Sequence, residues 1–103
     1  MIKYNKLVRD KIPLIIKEKK KEFTYHIATP EEYRVKLADK LVEEAIEFKD
    51  DPSLEELADL QEVIDATIKA FGYNKKQLQA EMKNKAFARG KFKEKYILDE
   101  VSK

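Results

Sequence analysis

Apolar residues recur at helical spacing in four stretches of the chain, and each stretch is bounded by residues that start or stop helices. In the first, Ile12, Ile15 and Ile16 form a short apolar face, predicting a helix from about Val8 to Lys20 with Pro13 in its first turn or at a kink. Phe23 to Ala28 instead alternates aromatic and β-branched residues with polar ones, the pattern of a short strand. Thr29, Pro30, Glu31 and Glu32 open a second helix, with threonine as cap, proline at the first helical position and glutamate three residues after the cap. This helix is expected to reach about Lys49, with Leu37, Ala38, Leu41, Ala45 and Phe48 on one face. Asp50, Asp51 and Pro52 break it, and a third helix runs to Phe71 before Gly72. Its start has two equally good forms: Asp51 capping ahead of Pro52, or Ser53 capping in a box with Glu56. Asn74 with Gln77 caps a fourth helix ending near Arg89 and Gly90, and Tyr96 to Val101 is a second strand candidate that pairs with Phe23 to Ala28.

The predicted fold is mainly α: a bundle of about four helices with a minor β pair, in one domain covering residues 1–103. The short break at Asp50 to Pro52 makes the second and third helices antiparallel neighbours. The third helix has one apolar stripe of Leu57, Leu60, Ile64, Ile68 and Phe71 and another of Val63, Ala66 and Ala70. One short chain does not readily bury both, so oligomerisation is expected to complete the bundle.

Composition narrows the chemistry. Asp, Glu, Lys and Arg make up 41% of the 103 residues, against roughly 25% in an ordinary globular protein, so long helices with wet faces are expected. The absence of cysteine removes disulfides, thiolate metal sites and cysteine nucleophiles. Two glycines cannot build a glycine-rich phosphate loop or a dinucleotide fingerprint. His26, the single histidine, has no serine near it in sequence and reads as an ordinary strand residue. The longest apolar run, Ile12 to Ile16, is too short for a membrane span, and a cytoplasmic location is expected. Catalysis, if any, rests on carboxylates, amines, hydroxyls or a metal.

Charge is segregated along the chain. Residues 1–22 carry 8 basic and 3 acidic side chains, residues 31–65 carry 4 and 13, and residues 66–103 carry 10 and 4. Such a pattern fits complementary helix surfaces, or a cation site flanked by groups that attract phosphate.

The acidic segment contains Glu43-Glu44-Ala45-Ile46-Glu47, then eight residues, then Glu56-Leu57-Ala58-Asp59. Glu44 with Glu47, and Glu56 with Asp59, are i, i+3 pairs, each projecting from one helix face with Cβ atoms about 5–6 Å apart. Antiparallel packing brings the pairs together, and a hard divalent cation such as Mg²⁺, or Mn²⁺, relieves their repulsion. Glu44 lies at the edge of the apolar face, Glu47 further round and Glu43 nearly opposite. Glu56 and Asp59 head the stripe of Val63, Ala66 and Ala70, whereas Glu55, Glu62 and Asp65 lie on the wet side. The competing explanation is a solvated acidic face.

These two motifs resemble the paired EExxE and ExxD motifs of the all-α nucleotide pyrophosphohydrolases, the MazG-like and phosphoribosyl-ATP pyrophosphohydrolase-like group. The opening Tyr4-Asn5-Lys6-Leu7-Val8-Arg9-Asp10-Lys11-Ile12-Pro13 looks like the N-terminal signature of a house-cleaning branch of that group, and Lys85-Ala86-Phe87-Ala88-Arg89-Gly90-Lys91-Phe92 looks like its closing motif. The eight-residue spacing is shorter than in many MazG-like members, which implies a tighter hairpin, and Lys91 stands where the branch usually has a second glycine.

The resemblance implies a homodimer or homotetramer that uses Mg²⁺ to cleave a nucleoside triphosphate between the α and β phosphates, releasing monophosphate and pyrophosphate. Glu44, Glu47, Glu56 and Asp59 match the metal ligands. Glu44 and Glu47 are the catalytic candidates, since a carboxylate the metal leaves free, or a water on the metal, supplies the nucleophile. Lys6, Arg9, Lys85 and Arg89 are candidate phosphate contacts. Tyr4 and Asn5 either contact base or ribose or serve as packing, and Lys40 either pairs with Glu44 or meets substrate. Within the enzyme class, phosphoribosyl-ATP is the alternative substrate. The rival class is a non-enzymatic helical module gripping nucleic acid through Lys17, Lys19, Lys20, Lys21 and the basic C-terminal third. A net charge of only +2 weighs against that partner.

Overall fold

A computed structural model describes residues 2–103. Four helices follow one another: α1 (Ile12–Glu18), α2 (Pro30–Asp50), α3 (Leu54–Ala70) and α4 (Lys75–Arg89). The chain divides into two compact units, Met1–Gly72 and Tyr73–Lys103. The first holds α1 and the packed pair α2 and α3; the second holds α4 and the residues after it.

The helix ends follow capping chemistry. Thr29 Oγ1 accepts the Glu32 backbone N–H at 3.2 Å, with Pro30 inside the first turn, so α2 starts where the local sequence predicts. Asn74 and Gln77 exchange both bonds of a capping box at 2.9 Å each, fixing the start of α4.

At α3, Ser53 rather than Asp51 is the cap, its Oγ accepting the Glu56 N–H at 3.2 Å. The reciprocal bond from the Ser53 N–H to the Glu56 carboxylate is not made, and this leaves that side chain available to the interior of the hairpin.

Two sequence expectations are corrected. The first helix is shorter than Val8 to Lys20. It begins at Ile12 because Pro13 has no N–H to give and fits only the first turn, and it is ended beyond Glu18 by the left-handed Lys20, φ 57°.

The β pair is absent, since no strand occurs among the described residues. Alternation tells which side chains face alike but supplies no partner for the backbone, and an isolated two-stranded pair is marginal in water. Phe23 and Tyr25 stack on each other instead, with ring centroids 5.8 Å apart. His26, expected in that strand, binds the Glu32 carboxylate at 2.9 Å.

Leu37, on α2, is the core's fully buried apolar side chain, while Leu41 and Phe48 are half-buried and Ala38 and Ala45 are exposed. The apolar face of α2 is therefore narrower than its periodicity predicts. Val35, Val42 and Ile46 lie open on another side. No described helix is long and apolar enough to cross a membrane.

Candidate metal centre

The three-residue connection Asp51 to Ser53 folds α3 back onto α2 and sets the last turns of α2 beside the first turns of α3. Glu44 of α2 thereby meets Glu56 and Asp59 of α3, and one carboxylate oxygen from each lies within 4.8 Å of the others. Glu44 also belongs to a second group on its own helix, in which ligand atoms of Glu43, Glu44 and Glu47 lie within the same distance. The four acids expected to act together are thus arranged as two triads sharing Glu44, with Glu43 added.

Burial differs sharply across the set. Glu44 is 7% exposed, Glu43, Glu56 and Asp59 are half-buried, and Glu47 is exposed. Glu44 Oε2 and Glu56 Oε2 are shielded from solvent and neither has a hydrogen-bond partner. An unpaired buried carboxylate oxygen is costly.

Both carboxyls accordingly titrate above the ordinary range. Desolvation is the largest cause for each, followed by the negative charge of Glu47; Asp59 adds to both, and Lys40 partly offsets the rise at Glu44. A hard cation coordinated by oxygen satisfies the orphaned atoms and removes the repulsion together, so these residues fit Mg²⁺ or Mn²⁺.

Basic groups rim the cluster. Arg9 donates from Nη2 to Asp59 Oδ1 at 2.7 Å. Lys6 Nζ lies 3.5 Å from Glu43 Oε1. Lys40 Nζ stands between Glu43 Oε1 at 3.4 Å and Glu44 Oε1 at 3.7 Å, which gives it the pairing role weighed for it from the sequence. Two expected phosphate contacts, Lys6 and Arg9, therefore sit on the carboxylates.

Asn5 takes the left-handed backbone, φ 48°, a conformation asparagine tolerates better than most residues, and its carbonyl accepts Lys36 Nζ at 2.7 Å. Tyr4 is exposed. Lys85 and Arg89 are exposed on α4 in the second unit, and the carboxylate geometry is built without them.

Sequence reasoning missed Glu43 and Lys36. A wheel oriented on apolar residues puts Glu43 on the far side, but Lys36, Lys40, Glu43 and Glu47 form their own i, i+4, i+7, i+11 stripe. The N-terminal segment lies along that stripe, as the Lys36 to Asn5 and Lys6 to Glu43 contacts record. Compared with known proteins, the chain matches no family model, no curated protein and no solved structure.

Proposed function

We propose that the protein is a Mg²⁺-dependent nucleoside triphosphate pyrophosphohydrolase acting on non-canonical nucleotides in the cytoplasm. The observation that carries this is the buried Glu44 carboxylate, one oxygen of which has no partner, facing Glu56 and Asp59 across the hairpin. Its support from sequence is the resemblance of the Glu43 to Glu47 and Glu56 to Asp59 motifs, and of both flanking signatures, to the MazG-like group.

Glu44, Glu56 and Asp59 hold the cation, with Glu47 at the exposed edge. The bound ion supplies charge neutralisation to the phosphates. Glu47 takes the proton from the attacking water, whose oxygen bonds to the α phosphorus as the bond from that phosphorus to the α,β-bridging oxygen breaks. The nucleoside monophosphate and pyrophosphate are the products. Arg9, freed from Asp59, grips phosphate oxygens through its planar fork. Phosphoribosyl-ATP, which carries the same α,β anhydride, is the alternative substrate.

The exposed Val35, Val42 and Ile46 of α2 are covered by a second copy of the chain in a dimer or tetramer. Light scattering at micromolar concentration is expected to give at least twice the chain mass; a monomer contradicts this assembly.

The activity is tested with a panel of canonical and modified triphosphates, reading pyrophosphate release. Release is expected with Mg²⁺ or Mn²⁺ and none after chelation with EDTA. Full turnover in the chelated protein, or none on any triphosphate or phosphoribosyl-ATP, overturns the proposal. In the latter case, salt-sensitive binding to nucleic acid would support the non-enzymatic alternative.

A further inference from the structure

The segment ahead of α1 belongs to no helix or strand over residues 2–9, yet it touches both helices of the hairpin. The Asn5 carbonyl accepts Lys36 Nζ of α2 at 2.7 Å, Lys6 Nζ lies 3.5 Å from Glu43 Oε1 of α2, and Arg9 Nη2 donates to Asp59 Oδ1 of α3 at 2.7 Å. Leu7, between the two basic residues, is half-buried. Asn5 to Arg9 thus crosses from α2 to α3 as a strap. Its two cations reach one member of each carboxylate triad: Glu43 in the group with Glu44 and Glu47, and Asp59 in the group with Glu44 and Glu56.

The two ends of the strap are held differently. At Asn5 the contact is to a lysine outside both triads, and the left-handed backbone there, φ 48°, turns the carbonyl to meet it. At Lys6 and Arg9 the contacts are ion pairs on the candidate metal ligands, and these side chains are 54% and 60% exposed, so each pair is individually weak. A divalent cation carries twice the charge of the guanidinium, and two cations on one carboxylate repel each other. Lys40, which also pairs with Glu43 and Glu44, is carried by α2 itself and stays in place whatever the strap does.

We propose that Asn5 to Arg9 is a cation-released strap: Arg9 and a divalent cation compete for Asp59, and metal binding detaches the Lys6 to Arg9 end while Lys36 keeps Asn5 anchored. The proposal rests on the metal centre of the reading above, and on no nucleotide or hydrolysis. By linkage, whatever holds Arg9 on Asp59 is subtracted from the affinity for the cation, and the cation loosens the strap by the same factor. Detachment is local, since no regular element has to break for it.

Calorimetric titration of Mn²⁺ into the chelator-stripped full chain reads the competition. Arg9→Met should bind about three- to fivefold more tightly than wild type, the scale of an exposed ion pair, and Arg9→Lys, which keeps the charge, should stay close to wild type. A residue that merely orients Asp59 for the metal gives the opposite sign, because its loss weakens binding. Lys69→Met removes the same charge about 15 Å further along α3, beyond the screening length, and should bind as the wild type does. In the wild type, the heteronuclear NOE of the Lys6 to Arg9 amides should drop as diamagnetic Mg²⁺ is added, a change that a fixed structural strap does not show. Circular dichroism of each variant confirms its helices.

Mn²⁺ affinity in Arg9→Met equal to or weaker than that of wild type, or an unchanged NOE in saturating Mg²⁺, overturns the strap and leaves the metal centre standing. No saturable binding in either protein removes the centre and the strap together. The expected pattern in a chain that hydrolyses no nucleotide supports the strap and removes the hydrolase.

Discussion

Replacing Glu44 by glutamine should stabilise the metal-free protein by about 1 kcal/mol while cutting pyrophosphate release at least about a hundredfold. Glu44 is buried, one of its oxygens has no partner, and the neighbouring acids oppose its charge. The one nearby cation, Lys40 at 3.7 Å, remains paired with Glu43 in the variant. Glutamine keeps the volume and removes the charge, so the fold gains what the ion site loses. Urea midpoints in EDTA, set beside turnover in Mg²⁺, read both effects. The exposed Glu62 serves as control, and Glu62→Gln should stay within about half a kcal/mol of wild type in stability with turnover intact. A Glu44→Gln protein that is less stable and still active would refute the assignment.

The second large effect is a reversal of pH dependence by metal. Glu44 and Glu56 both titrate above their usual value of 4.5 when folded. A raised folded value means the native state binds protons more tightly than the unfolded chain. Their contribution to stability is full below that usual value and is lost as pH rises through the folded one. In EDTA, the melting temperature should therefore fall through these groups as pH rises above the usual carboxylate value, and Glu44→Gln should flatten the fall. Cation binding requires ionised carboxylates, so with saturating Mg²⁺ the melting temperature should rise over the same interval. Slopes of the same sign in both buffers contradict a metal centre at these acids.

Which features were legible in the sequence depends on how local their causes are. Thr29 with Pro30, and Asn74 with Gln77, fix helix starts through bonds spanning three residues, and both starts are as the sequence predicts. Pro13 marks the first turn of α1, and Val8 to Lys11 are non-helical because a proline without an N–H cannot follow a helical turn formed before it. The strand pair failed because a strand is completed only by a distant partner, which the alternation of Phe23 to Ala28 does not name.

In the site, the i, i+3 spacing placed each acidic pair on one face, and the break at Asp51 to Ser53 brought Glu44 to Glu56 and Asp59. The choice between Ser53 and Asp51 as cap was not legible. It turns on which side chain reaches the Glu56 N–H, and the Glu56 carboxylate stays available because the capping box is only half closed. The role of Glu43 was hidden for a different reason: its neighbours Lys6 and Lys40 come partly from a segment far along the chain. A wheel drawn on one helix cannot show that segment.

The central claim, that carboxylates from α2 and α3 jointly hold a divalent cation, is tested most directly by calorimetric titration of Mn²⁺ into the chelator-stripped protein and two variants of adjacent residues. Wild type and Glu55→Gln should bind saturably and alike, since Glu55 is exposed, whereas Glu56→Gln should lose the binding. Mn²⁺ affinity in Glu56→Gln equal to that of wild type, or no saturable binding in wild type, would contradict it.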